Sequence, residues 1–230
     1  MIKAVFVDID NTLLSFDEYV KQCMKEGFQK YGLKQYAPYM FDVFVEENGN
    51  LWKQLEKGQL TFEHLEEIRW QKILDRLEID FDGLVFERYF REGLYNSAIL
   101  EKNALEMIQY LNQKYILCLA SNGPYFQQCN RIKQAHLDRY FELAFISEKF
   151  GYSKPSKEFF DCAFQELNEY HKQTILPQET YIIGDSLSSD MQGGINYGMH
   201  TIFYKRNKDS VVPETVEHVV EDLIDVKNIL

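Results

Sequence analysis

The tetrad Ala4-Val5-Phe6-Val7 runs straight into two carboxylates, Asp8 and Asp10, and this junction limits the folds open to the chain. An unbroken apolar run has no solvent face. It reads as a strand covered on both sides, the position of a central strand in a parallel sheet. Side chains alternate along a strand, so Asp8 and Asp10 start out on the same side of its tip. Asn11-Thr12 then marks a turn. Open α/β sheets bind ligands beyond the carboxyl ends of their strands, which is where this acidic pair stands. Two close carboxylates repel, and become stable together with a divalent cation between them or a proton on one of them. Asp-x-Asp alone is read equally well as a strand end with solvated acids. Only matching residues at other strand ends separate the two readings.

Those residues come after a long interruption. From Phe16 to Gly93 the sequence is aromatic, charged and helical in period. Ser15 or Asp17 caps a helix through about Tyr31, with Tyr19, Cys23, Phe28 and Tyr31 on its apolar side and Gly32 as its stop. A second spans about Tyr39 to Leu55, weakened at Asn48-Gly49-Asn50. Thr61 opens a third, with Leu65, Ile68, Ile73, Leu74 and Leu77 at helical spacing. Asp82 caps a fourth, to about Arg91. No strand signal occurs in this block, which is expected to be an insert of four or five helices.

From about Asn103 helices and strands alternate. Strands are expected at Ile116–Ser121, Leu143–Ile146, Tyr181–Gly184 and Thr201–Tyr204, and Val219-Val220 and a helix near Leu223 end the chain. This alternation predicts an α/β fold, a doubly wound parallel sheet with right-handed crossovers. The expected division is a core of residues 1–15 and 94–230 and a helical domain of residues 16–93.

Composition narrows the partners. The net charge of −11 argues against a nucleic-acid polymer or an anionic membrane surface. It leaves room for a small anionic substrate, because a metal and a lysine in the site outweigh the global charge locally. The four cysteines form no CxxC pair, which fits a reduced, cytoplasmic setting. The sequence starts directly on a strand, so no signal peptide is expected, and no apolar run reaches the length of a membrane-spanning helix.

Four strand ends carry polar residues of distinct kinds: Asp8 and Asp10, then Ser121-Asn122-Gly123, then Lys154, then Asp185 with Asp190. Adjacent parallel strands place their carboxyl ends side by side, so these groups can converge. Together they suit phosphoryl transfer. Asp8 is the candidate nucleophile, forming an aspartyl-phosphate. Asp10 is placed to protonate the leaving oxygen and then to activate water. Asp8, the Asp10 backbone carbonyl and Asp185 would make an oxygen ligand set for Mg²⁺, with Mn²⁺ as an alternative in vitro. Asp190 would support that loop or a metal-bound water. Ser121 and the backbone N–H groups of Asn122 and Gly123 can cradle phosphate oxygens. Lys154 can offset charge on the transferring phosphoryl. Singly, each has an ordinary role. Ser121 reads as a turn residue, Lys154 as a solvated loop lysine, Asp185-Ser186 as a helix cap and Asp190 as a first-turn acid. The five histidines sit at no metal spacing, and Trp52 and Trp70 read as helix-packing residues. The case rests on the coincidence of four strand ends.

The ordered set Asp8-Ile9-Asp10-Asn11-Thr12, Ser121-Asn122-Gly123, Lys154-Pro155 and Gly184-Asp185-Ser186 with Asp190 resembles the haloacid dehalogenase-like (HAD) hydrolase superfamily. The resemblance covers the whole chain. It implies a Rossmann-like core with an inserted all-helical type 1 cap, and a Mg²⁺-dependent phosphatase. In it Asp8 is the nucleophile, Asp10 the general acid/base, Ser121 and Lys154 the phosphate binders and Asp185 a metal ligand. The second aspartate argues against the haloacid dehalogenases proper, which lack it. The segments Leu51-Trp52-Lys53, Gly58-Gln59-Leu60-Thr61, Arg69-Trp70, Ile146-Ser147-Glu148 and Gly193-Gly194-Ile195-Asn196-Tyr197-Gly198 are similar to the pyrimidine-type nucleoside 5′-monophosphatases. That similarity implies a nucleoside monophosphate as the small phosphorylated substrate, with Trp52 or Phe41 available to stack on a base. Asn11 departs from the glycine common there, and a proline near Ala98 is missing. The alternatives are a phosphatase of sugar phosphates or phosphoglycolate, a phosphomutase of the same fold, or a non-catalytic binding domain. The oligomeric state is not legible from the sequence.

Overall fold

The computed structural model describes residues 1–207 and 209–230. Among them the chain divides into two compact units, one of Met1–Phe16 with Ala98–Leu230 and one of Asp17–Ser97.

The first unit is built on a six-stranded sheet, entirely parallel, in the order β3-β2-β1-β4-β5-β6. The strands are β1 (Ala4–Val7), β2 (Ile116–Ser121), β3 (Leu143–Ile146), β4 (Thr180–Gly184), β5 (His200–Tyr204) and β6 (His218–Val220). β1 is central, as its continuous apolar run required. Val5 and Val7 pack with Met107, Ile108 and Leu111 of α5 (Ala104–Leu111). Ala4 and Phe6 pack on the other face with Phe159, Phe160 and Phe164 of a later helix, Lys157–His171. The chain winds outward from β1 through β2 to β3, then crosses back to β4 and winds the other way to β6. The reversal falls between β1 and β4, so a crevice opens beyond their carboxyl ends.

The remaining elements of this unit are α6 (Tyr125–Gln134), the one-turn α7 (Ser147–Phe150), α8 (the Lys157–His171 helix, capped by Ser156) and α9 (Gln192–Tyr197). The sequence reads one helix from Asp190 to Tyr197. The structure instead has a wide π-type turn over Leu187–Met191 before α9. The expected terminal helix is 3₁₀, Leu223–Asn228. All four cysteines are unpaired thiols, and no helix among the described residues is long and apolar enough to cross a membrane.

The second unit is all-helical: α1 (Phe16–Lys30, which begins one residue before the unit), α2 (Pro38–Glu56), α3 (Phe62–Arg76) and α4 (Gly83–Tyr95). Thr61 and Asp82 cap α3 and α4 as their spacing predicts, accepting from His64 N at 3.2 Å and from Leu84 N at 2.8 Å. Two details differ from the sequence reading. α2 passes unbroken through Asn48-Gly49-Asn50, because Met40, Phe44 and Leu51 bury one stripe and Asn48 Oδ1 accepts from Arg69 Nη1 at 3.4 Å. On α3 Arg69 is buried with Leu65, Trp70, Ile73 and Leu74, and Ile68 is not. Its guanidinium meets Glu87 through Nε–Oε2 at 3.1 Å and lies 4.6 Å from the Phe90 ring, so the buried charge is matched. Trp70 is fully buried against Phe86 and Phe90, and Trp52 packs on Phe62.

Candidate active site

The turn after β1 starts the site. The Asp8 N–H donates to Ile183 O of β4 at 2.9 Å, which fixes the start of the turn against the switch strand. Leu13 N and Leu14 N then both donate to Ile9 O, and Asn11 takes φ 61° to close the loop. A left-handed φ favours glycine, and asparagine is the side-chain-bearing residue that tolerates it best. That explains how Asn11 stands where glycine is common.

Asp8 is 7% exposed. Its Oδ2 accepts from Thr12 Oγ1 at 3.1 Å and its Oδ1 from Lys154 Nζ at 2.8 Å. Lys154 is 1% exposed, and its ammonium also donates to Asp190 Oδ1 at 2.6 Å and to Ala120 O. One ammonium therefore ties the end of β1, the end of β2 and the turn after β4. Burial acts to lower the Lys154 pKa, but Asp190 and Asp8 outweigh it, so the group is held above the usual lysine range. Asn122 holds the backbone of Lys154 from both sides, Nδ2 donating to its O at 2.9 Å and Oδ1 accepting from its N at 2.8 Å.

Asp190 Oδ2 accepts from Ser186 N at 3.1 Å, so both its oxygens have partners. Its close fit explains Gly184. A Cβ there would stand 2.1 Å from Asp190 Oδ2 and 2.3 Å from its Cγ. Gly184→Ala is expected to displace Asp190 and with it Lys154, lowering stability by about 1–3 kcal/mol and activity with it. Urea unfolding read beside turnover checks both.

Oxygens of Asp8, Asp185 and Asp190 lie within 4.8 Å of one another. This is an all-oxygen, hard-donor set, and Lys154 alone bonds two of its three carboxylates. The cost of ionising a carboxyl group in this buried place registers on Asp8. Burial, opposed by Lys154 and reinforced by Asp190, raises it from its ordinary 3.8 to about 7. The residues therefore fit a divalent cation, which would supply the missing positive charge. The sign of the pH effect follows. The folded, metal-free chain holds a proton on Asp8 that the unfolded chain releases. That contribution to stability is complete below about pH 4 and is lost as pH rises toward about 7. A cation needs the ionised carboxylate, so added Mg²⁺ should raise Tm more at about pH 8 than at about pH 5. Melts with Mg²⁺ and with EDTA test this.

The structure does not give Asp8 and Asp10 the same partners. Asp10 Oδ1 accepts from Arg131 Nη1 and its Oδ2 from Gln128 Nε2, each at 2.6 Å. Gln128 Nε2 also donates to Ser121 Oγ at 2.8 Å. Each carboxylate thus has its own cation, Lys154 or Arg131. Sequence reasoning missed Thr12, Gln128 and Arg131. The spacing of 128 and 131 on α6 puts both on one helix face beside the buried Ile132, a signal that by itself equally describes a solvated edge. Gly123 N donates to Ser147 Oγ at 2.9 Å, so that N–H already has an acceptor. Asp185 lies 3.7 Å from Arg206 Nη1.

A family model for haloacid dehalogenase-like hydrolases matches residues 2–198. The chain belongs to that family. It is similar to the pyrimidine 5′-nucleotidase PynA of Streptococcus pneumoniae, 29% identical over 99% of this chain and 97% of that one. The pyrimidine 5′-nucleotidase YjjG of Escherichia coli is 25% identical over 96% of each chain. The magnesium-bound crystal structure of the HAD hydrolase YfnB of Bacillus subtilis superposes with a TM-score of 0.88 at 26% identity, covering 100% of this chain and 98% of that one.

Proposed function

We propose that the protein is a Mg²⁺-dependent phosphomonoester hydrolase acting through an aspartyl-phosphate, with nucleoside 5′-monophosphates as its substrates. The observation that carries this is the convergence at the β1/β4 switch point of three carboxylates and one buried ammonium. The likeness to PynA and YjjG supports the nucleotide part.

Asp8 is the nucleophile. Its Oδ attacks phosphorus while Lys154 and Thr12 hold the carboxylate in place. The ester P–O bond breaks, and Asp10 gives its proton to the departing alkoxide. Asp10 then takes a proton from water, whose oxygen attacks the same phosphorus. The bond from phosphorus to Asp8 breaks, which releases orthophosphate and restores both carboxyl groups. Ser121, the Asn122 N–H and Lys154 offset charge on the non-bridging oxygens. Mg²⁺, held by Asp8, the Asp10 backbone carbonyl and Asp185, would neutralise the charge between carboxylate and phosphate. Asp190 supports Lys154 and the turn after β4.

The test is phosphate release from a panel of nucleoside monophosphates, sugar phosphates and phosphoglycolate, with Mg²⁺ and with EDTA. Release should need the metal, and kcat/KM for thymidine or uridine monophosphate should exceed that for the others by about tenfold or more. Preference for a sugar phosphate or phosphoglycolate discards the nucleotide part and keeps the chemistry. Release from none overturns the reading.

A further inference from the structure

We infer that Gln128, oriented by Arg131, is a positioning residue that ties the carboxylate of Asp10 to the hydroxyl of Ser121. The inference rests on the roles proposed above for those two residues. Gln128 is 1% exposed and Arg131 fully buried. An amide nitrogen carries two hydrogens and accepts nothing. Gln128 Nε2 gives one to Asp10 Oδ2 at 2.6 Å and the other to Ser121 Oγ at 2.8 Å. Its Oε1 accepts from Arg131 Nη1 at 2.8 Å, and the same Nη1 donates to Asp10 Oδ1. The reverse orientation would set Oε1 against a carboxylate and its NH₂ against a guanidinium, so the network allows one way round.

Two consequences follow. Ser121 Oγ accepts from Gln128 on one side, which leaves its own hydrogen to donate, and a donor is what a phosphate oxygen needs. Asp10, on a loop outside the sheet ladder, is held at both oxygens by one helix and cannot shift relative to Ser121 without breaking one of these bonds. Helix packing alone would be served by apolar residues, because a buried guanidinium is costly to desolvate.

The test uses the full chain with Mg²⁺ and p-nitrophenyl phosphate. Gln128→Leu and Gln128→Glu should each lower kcat about 100-fold, since small misplacement of a reacting group has effects of that order. KM should rise about tenfold, the worth of one hydrogen bond. Arg131→Lys should fall between these variants and the wild type. The glutamate variant keeps the shape of the side chain and lacks both hydrogens, so it serves if the leucine variant fails to fold. Placed in an Asp10→Ala chain, Gln128→Glu should lower kcat by less than about twofold further, and in a Ser121→Ala chain it should leave KM unchanged. A merely structural role would give additive losses in both backgrounds and would overturn the inference. Calorimetric binding of inorganic phosphate provides a readout free of turnover. Gln128→Glu should weaken it about tenfold in the wild-type chain and not in Ser121→Ala. If the wild type hydrolyses no ester but binds phosphate with this coupling, the proposed function fails and the tie stands. Wild-type constants in Gln128→Glu, or no phosphate binding by the wild type, overturn it.

Discussion

Asp8→Asn is expected to lose at least about 10⁴-fold in kcat and to melt within a few degrees of the wild type. The amide has the volume of the carboxylate and one oxygen that can still accept from Lys154. It lacks the anionic oxygen that attacks phosphorus. Stability should hold because Lys154 keeps Asp190 and Ala120 O as acceptors. Removing a carboxyl group that burial has pushed up to about 7 also removes a source of strain near neutral pH. In EDTA the variant should therefore equal or exceed the wild type in Tm, and in Mg²⁺ the wild type should gain more. Phosphate release beside thermal melts decides the matter. Metal-dependent release retained at more than about one part in a hundred would remove Asp8 from its assigned role.

Lys154→Met should be the most damaging single change to stability. Its ammonium is shared by two buried carboxylates and a carbonyl, and deleting one partner of a buried pair costs about 3–5 kcal/mol. For a chain of this size that lowers Tm by roughly 10 °C. The loss should depend on pH. Asp8 already holds its proton to about 7 in the presence of Lys154. Lys154 is what opposes that shift, so without the ammonium Asp8 holds its proton further up. Folded-state protons stabilise the chain at low pH and are lost as pH rises, so the deficit should be smaller at about pH 5 than at about pH 8. Mg²⁺ should restore part of it at the higher pH. Urea midpoints at the two pH values, with and without Mg²⁺, provide the check. A deficit independent of pH would mean that packing, and not charge, carries the role of Lys154.

The sheet was legible because its signal is local. Ala4–Val7 has no polar face, and a strand with no polar face has to be central. The alternation after Asn103 then leaves a parallel, doubly wound sheet. The caps Thr61 and Asp82 were legible for the same reason, since each bonds within its own first turn. The polar groups at the strand ends could be named from their types and their positions after β1, β2 and β4, whereas Lys154, read as a fourth strand end, stands past α7 on the loop before α8. The unbroken course of α2 and the burial of Arg69 were not legible. Both depend on side chains that come from other helices, Arg69 reaching Asn48 and Glu87 reaching Arg69.

The partner of each acid lay beyond sequence reasoning altogether. Asp8 and Asp10 are two residues apart, and period-two alternation sends them the same way. The chain leaves the ladder after Val7 and turns at Asn11, and tertiary structure then gives Asp8 to Lys154 and Asp10 to Gln128 and Arg131. The sequence determined which chemical groups stand at the strand ends, because strand burial and turn chemistry are set within a few residues. Only the tertiary structure decided which acid meets which cation, because ion pairs between residues more than a hundred positions apart are chosen by the packing of helices on the sheet.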